Sequence, residues 1–142
     1  MLELPAHPEV PDALSRLHSA GFPFATLTNS SPETARAQLG HAGILEHFDQ
    51  VLSVAVVRRY KPEPEPEPYH MAAERLGVDP SDVRMVAAHD WDVWGAMQAG
   101  SAATYVARTA VSFVVGRPPD ITGSDLSAVT AEHMREIDGV AV

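Results

Sequence analysis

Apolar positions along the chain alternate between a helical spacing and short unbroken runs, and that order predicts an α/β protein with a parallel sheet. Val10, Leu14 and Leu17 share one face of a helix predicted from Val10 to Ala20, with Gly21 as its stop. Phe22 to Thr28 reads as a buried strand closing in the polar run Thr28-Asn29-Ser30-Ser31. Pro32 and Glu33 suit the first turn of a helix that runs to about Ala42 and stops at Gly43. Val51 to Val57 is a second strand. The alternating prolines of Lys61-Pro62-Glu63-Pro64-Glu65-Pro66-Glu67-Pro68 then forbid helix and favour an extended, polyproline-like arm. Helical patterning resumes at once from Tyr69 to Leu76, so the arm is a stiff loop within one domain rather than a linker. After a turn at Asp79-Pro80-Ser81-Asp82 come a strand from Val83 to Ala88, a helix from Asp92 to Ala99 with Gly100 behind it, and a strand from Ala102 to Ala107. The tail holds a Pro118-Pro119-Asp120 loop, a short Ile121-Thr122 segment and a closing helix near Asp125 to Ile137.

A length of 142 residues with 45% hydrophobic content is enough for one domain with a core of its own, here residues 1–142. Ten basic against 19 acidic side chains, a net charge of -9, argue against nucleic-acid binding, and Arg58-Arg59-Tyr60-Lys61 is too short to form a basic patch. The absence of cysteine removes disulfides, thiolate metal ligands and a cysteine nucleophile together. No apolar run approaches the roughly 20 residues that span a bilayer, and Met1-Leu2-Glu3-Leu4-Pro5 does not read as a leader. The expectation is a cytoplasmic protein with no membrane partner.

Open parallel sheets bind ligands beyond the carboxyl ends of their strands, which singles out three places. Thr28 and Asn29 offer a hydroxyl, an amide and backbone N–H groups that either hold an anion or cap the following helix. Lys61, between an aromatic residue and a proline, is either an ammonium delivered from a restricted loop or an exposed surface lysine. His89-Asp90-Trp91-Asp92 closes the third strand, and Asp92 is either a site carboxylate or a helix N-cap. His7, His18, His41, His47, His70 and His133 have spacings that form no metal site.

The succession Leu-Thr-Asn-Ser-Ser-Pro, His-Ala-Gly-Ile-Leu-Glu-His-Phe-Asp, Leu-Ser-Val, Arg-Tyr-Lys-Pro, Tyr-His-Met-Ala-Ala-Glu-Arg-Leu-Gly and Met-Val-Ala-Ala-His-Asp-Trp-Asp resembles the L-2-haloacid dehalogenases of the haloacid dehalogenase superfamily over nearly the whole chain. Asp90-Trp91-Asp92 follows the Lys-Pro loop, so it matches that pattern's later acidic motif and not the Asp-x-Asp nucleophile motif that opens such chains. Ala87-Ala88 stands where phosphatase relatives have an aspartate that helps hold Mg²⁺, and alanine offers a hard cation no oxygen. The resemblance therefore implies a metal-independent hydrolase without a cofactor, acting on a small 2-haloacid to give a 2-hydroxyacid and halide. A phosphatase of the same superfamily and a non-catalytic binding or assembly module are the alternatives.

By the same resemblance, Lys61 stabilises the nucleophile and substrate carboxylate, and Asp92 positions or activates the hydrolytic water. Thr28 binds the substrate carboxylate, Asn29 the departing halide, and Tyr69 lines the site near Lys61. Trp91 matches the dehalogenase form, while His89 stands where some members have asparagine. The Pro-Glu arm is longer than the family interval by what looks like a duplicated Pro-Glu unit. The implied fold is a Rossmann-like core, a parallel sheet flanked by helices, incomplete at its N-terminus because the strand bearing the attacking aspartate and the cap after it have no counterpart. Either a gap or a direct pairing is then expected between the strands ending at Thr28 and His89, with a tendency to form a homodimer through free strand edges.

Overall fold

The computed structural model describes residues 5–56, 66–108 and 116–140. Among the described residues five helices and four of the five parallel strands follow the predicted order, and the fifth strand comes directly after the fourth. They are α1 (Val10–Ser19), β1 (Ala25–Thr28), α2 (Pro32–His41), β2 (Gln50–Ser53), α3 (Glu67–Leu76), β3 (Arg84–Ala87), α4 (Asp90–Gln98), β4 (Ala102–Val106), β5 (Ile121–Gly123) and α5 (Leu126–Val140). Short 3₁₀ turns at Leu45–His47, Val54–Val56 and Pro80–Asp82 join them.

The strands form two separate parallel sheets, β1-β2 and β3-β4-β5. In the first, Thr26 pairs with Val51 and Thr28 with Ser53; in the second, Met85 pairs with Ala103 and Tyr105 with Thr122. Of the two expected arrangements between the strands ending at Thr28 and His89, the structure has the gap: β1 and β3 are not hydrogen-bonded neighbours.

The period-two alternation of strand side chains decides what each face meets. Ala25 and Leu27 of β1 pack with Leu52 against Met71 and Ala72 of α3. Met85 and Ala87 of β3 pack with Ala103 and Tyr105 against Val93 of α4. Leu126 and Val129 of α5 cover Val106 and Ile121. Leu27 and Met85 also meet one shared cluster, Tyr69, Ala96 and Ala99, so α3 and α4 carry apolar contact across the gap that the backbone leaves open. The larger of these side chains that are buried, Leu52, Met71, Val93, Val106, Ile121 and Val129, contribute about 1.5–3 kcal/mol each. On β3 Val86 is 44% exposed, and on β1 the buried Thr26 hydroxyl has no hydrogen-bond partner among the described residues.

Several predicted boundaries shift for local reasons. The strand expected from Phe22 begins at Ala25, because the Asp49 carboxylate and the Phe24 carbonyl close the preceding turn: Phe24 N–H donates to Asp49 Oδ2 at 2.8 Å, and Asp49 N–H to Phe24 O at 2.8 Å. The run from Val51 stops pairing at Ser53 and turns into 3₁₀ helix at Val54. The helix expected at Tyr69 begins two residues earlier, since Pro68 lies in its first turn, where a missing N–H costs nothing. Ile121-Thr122 belongs to a third strand of the second sheet, which its short apolar pattern does not announce.

Candidate functional site

The groups that carry chemistry stand where the strands end and the next helix begins. At the end of β1, the Thr28 hydroxyl accepts the Ser30 N–H at 3.1 Å, turning the chain away from the strand. The N-cap of α2 is neither Thr28 nor Asn29: Ser31 does that work, its hydroxyl accepting the Thr34 N–H at 3.2 Å. Thr28 is half-buried and Asn29 exposed. The capping role that competed with anion binding at these two positions is thus filled by a third residue.

The loop after β1 is held from the neighbouring strand. Ser53, 2% exposed at the end of β2, donates its hydroxyl to the Ser30 carbonyl at 2.7 Å and accepts the Ala55 N–H at 3.2 Å. Sequence reasoning missed this residue, although a lone hydroxyl inside the apolar run Val51 to Val57 was a visible signal for a buried polar bond.

At the end of β3 the chain passes through exposed Ala88 and His89 into α4. His89 is the N-cap in backbone conformation, so Asp92 is not the cap and lies in the first turn with Asp90. Both carboxylates there face the positive end of the helix dipole. Asp90 Oδ1 accepts its neighbour's N–H, that of Trp91, at 2.8 Å, and the His89 and Trp91 rings lie 5.2 Å apart at 33°.

Asp92 is 7% exposed, and a carboxylate buried to that degree needs donors. One of them is Tyr69, 4% exposed on α3, whose hydroxyl donates to Asp92 Oδ1 at 2.9 Å. Burial, and secondarily the Asp92 carboxylate and this bond, push the Tyr69 phenol well above the ordinary tyrosine range, so it is a fixed donor. The site-lining residue expected at Tyr69 stands against Asp92, the carboxylate its hydroxyl holds. Its relation to Lys61, like Lys61 itself and most of the Pro-Glu arm, lies outside the described residues. Leu27, next to Thr28, packs on the same Tyr69, which anchors the β1 end to the side chain that holds Asp92.

Among the described residues no group of three or more His, Asp or Glu side chains is arranged to hold a metal ion, and Ala87 and Ala88 carry no side-chain oxygen at the β3 end. His70 is committed elsewhere, its Nε2 lying 2.9 Å from the Ala99 carbonyl. A shallow hollow lined by Gly40, Gly43, Leu45 and Glu46 is separate from every strand end and carries none of these groups. No helix among the described residues is long and apolar enough to cross a membrane.

Parallel sheets flanked by helices, a small hydroxyl and amide after one strand and a buried carboxylate in the first turn after another together define a hydrolase core of the haloacid dehalogenase type. The comparisons agree: residues 1–100 match the profile of the haloacid dehalogenase-like hydrolases, and the chain belongs to that family. It is 37% identical over 129 residues to an (S)-2-haloacid dehalogenase of Pseudomonas sp. (strain YL), covering 90% of this chain and 55% of that protein. It also matches a pyrophosphatase of Bacillus velezensis at 35% over 98 residues, 69% of this chain and 44% of that one. Among solved structures, the L-2-haloacid dehalogenase RSc1362 superposes with a TM-score of 0.88 at 28% identity, over 94% of this chain and 58% of that one. The chain spans about half the length of the curated relatives it matches.

Proposed function

We propose that this chain is part of a hydrolase of the (S)-2-haloacid dehalogenase type, converting an (S)-2-haloacid to the (R)-2-hydroxyacid and halide. The observation that carries the reading is the buried Asp92, held by Tyr69 at the end of a strand where Ala87-Ala88 replaces a cation's oxygen ligand. A carboxylate fixed in this way, with no metal-holding cluster among the described residues, suits water activation in ester hydrolysis better than phosphoryl transfer, which uses Mg²⁺ to neutralise developing charge. In this reading Thr28 takes the substrate carboxylate and Asn29 the halide, Lys61 supplies positive charge, and His89 and Trp91 border the substrate.

Covalent attack on the halogen-bearing carbon needs a second carboxylate, and the resemblance assigns that role to none of the 142 residues. Turnover by this polypeptide alone is therefore expected to be slight, since losing a covalent nucleophile costs orders of magnitude in rate. The pyrophosphatase match keeps a phosphatase reading in play, and the open edges of β1 and β3 an assembly role.

Halide release from (S)-2-chloropropionate, set beside Mg²⁺-dependent phosphate release from p-nitrophenyl phosphate, separates these readings. Each is assayed with the chain alone and with the chain mixed with the amino-terminal segment of the Pseudomonas dehalogenase. Halide release in the mixture, abolished by D92N and K61A, is the expected result. Phosphate release that depends on Mg²⁺ would overturn it, and neither activity under any condition favours the assembly module.

A further inference from the structure

Asp92, Tyr69 and Gly95 form one packed unit, and its third member has no side chain. Gly95 lies inside α4, one turn after Asp92. A Cβ placed on it would sit 2.6 Å from the Tyr69 hydroxyl oxygen and 3.0 Å from two carbons of the phenol ring. Real Cβ atoms do not approach other atoms that closely, and both obstacles are poorly placed to yield. The ring is buried between α3 and α4 among Ala96, Ala99, Leu27 and Met85, and its hydroxyl is tied to Asp92. The tip of the phenol thus reaches Asp92 only because the helix that carries Asp92 presents a bare Cα beside it.

We infer that Gly95 is a positioning residue of the site: it provides the seat that lets the Tyr69 hydroxyl reach Asp92 Oδ1 and so fixes the rotamer of that carboxylate. This rests on the reading of Asp92 as the water-directing carboxylate for its functional meaning, but the geometry stands without it. An interior helical glycine is otherwise a liability, about 1 kcal/mol worse than alanine in the helix interior, and a site restraint explains why one is kept here. Gly40 of α2 is the contrast within the same chain, because a Cβ there meets only Leu45 Cδ2 at 4.0 Å.

The two glycines supply the test on the 142-residue chain. G40A, free of obstruction, is expected to raise the melting temperature by a few degrees. G95A is expected to lower it by roughly 3–10 °C through overpacking. In a Y69F background, where the closest obstructing atom is gone, the loss from G95A should fall to less than about half. Proton NMR gives the readout that packing alone would not move: the slowly exchanging Tyr69 hydroxyl proton, bonded to Asp92, should disappear in G95A and persist in G40A. If G95A stabilises as G40A does, or costs the same with and without the Tyr69 hydroxyl, or leaves that proton in place, Gly95 is not the seat. None of these readouts depends on halide release, so the inference can fail while the dehalogenase reading stands, and the reverse.

Discussion

Ser53 and Ser30, 23 residues apart, are joined by a 2.7 Å hydrogen bond from the buried Ser53 hydroxyl to the Ser30 carbonyl. This bond crosses from the end of β2 to the loop after β1, so it sets where Thr28 and Asn29 stand relative to the sheet. S53A removes the donor to one main-chain group and the acceptor of another, the Ala55 N–H. A loss of about 1–3 kcal/mol is expected, measured by urea unfolding, because two partly buried main-chain groups lose their partner. S53T keeps the hydroxyl but adds a methyl in a filled site, and is expected to lose less than S53A.

The Tyr69–Asp92 bond leads to a second prediction. Y69F leaves a buried carboxylate oxygen without its phenol donor, and a loss of about 1.5–3 kcal/mol follows from the worth of a charge-assisted bond. In an active, completed enzyme the same change should lower kcat more than it raises KM, since Tyr69 acts on Asp92 and the proposed substrate contacts lie at Thr28 and Asn29.

The same pair makes stability fall in alkali. Tyr69 holds its proton more tightly in the folded state than in the unfolded chain, where a tyrosine titrates near pH 10. The native state therefore binds more protons as pH rises past that value, and its advantage is full below about pH 10 and shrinks above it. Urea midpoints measured from pH 8 to 11 should hold steady and then drop, and Y69F should start lower and lose this component of the drop. A Y69F curve with the same alkaline slope as the native chain would refute the assignment.

Glu9 closes a third contact of long sequence range. Its Oε1 lies 2.7 Å from Arg108 Nη2 and accepts the Leu126 N–H at 3.4 Å, joining the start of α1, the end of β4 and the start of α5. Burial pushes the Glu9 carboxyl upward, but its backbone bonds and Arg108 outweigh this and bring it below its ordinary value. A depressed carboxylate stabilises the fold above the unfolded value near pH 4.3 and loses that contribution as pH falls through the folded one. E9Q should lower the melting temperature by about 2 °C at pH 7, the size of a partly screened ion pair, and by little at pH 3, read by circular dichroism.

Much of this molecule was readable from spacing alone. The order of helices and strands follows from apolar periods, and the chemistry-bearing ends of β1 and β3 follow from where those periods stop. Three things were not readable, each because a distant partner decides it. For Asp92 the sequence leaves a site carboxylate and a helix cap as equal alternatives, and only the fold shows that the backbone of His89 takes the cap position and Tyr69 holds the carboxylate. Gly95 carries no mark in the sequence, because its constraint comes from a phenol 26 residues upstream. Ile121-Thr122 is too short to signal a strand, and becomes one only because β4 offers it an edge.

An edge that can recruit a short segment of its own chain can also recruit another chain, and two such edges are left unfilled by any described strand. β1 pairs with β2 and β3 with β4, and among the described residues neither has a strand on its other side. Strand edges of this kind template association unless charge, proline or a bulge blunts them, and Val86 in the middle of β3 is apolar and 44% exposed. We propose that the chain forms a homodimer through this region, and size-exclusion chromatography with light scattering should show the mass rising from the 15.3 kDa monomer towards twice that value as concentration increases. V86K places a charge on the open edge at an exposed position, where surface substitutions usually change stability by less than about 0.5 kcal/mol. It should hold the chain at the monomer mass without loss of folded signal. A native chain that stays monomeric throughout, or a V86K chain that dimerises equally well, removes the edge as the cause, because an added strand would have to lie beside β3 and meet the lysine's charge on its face.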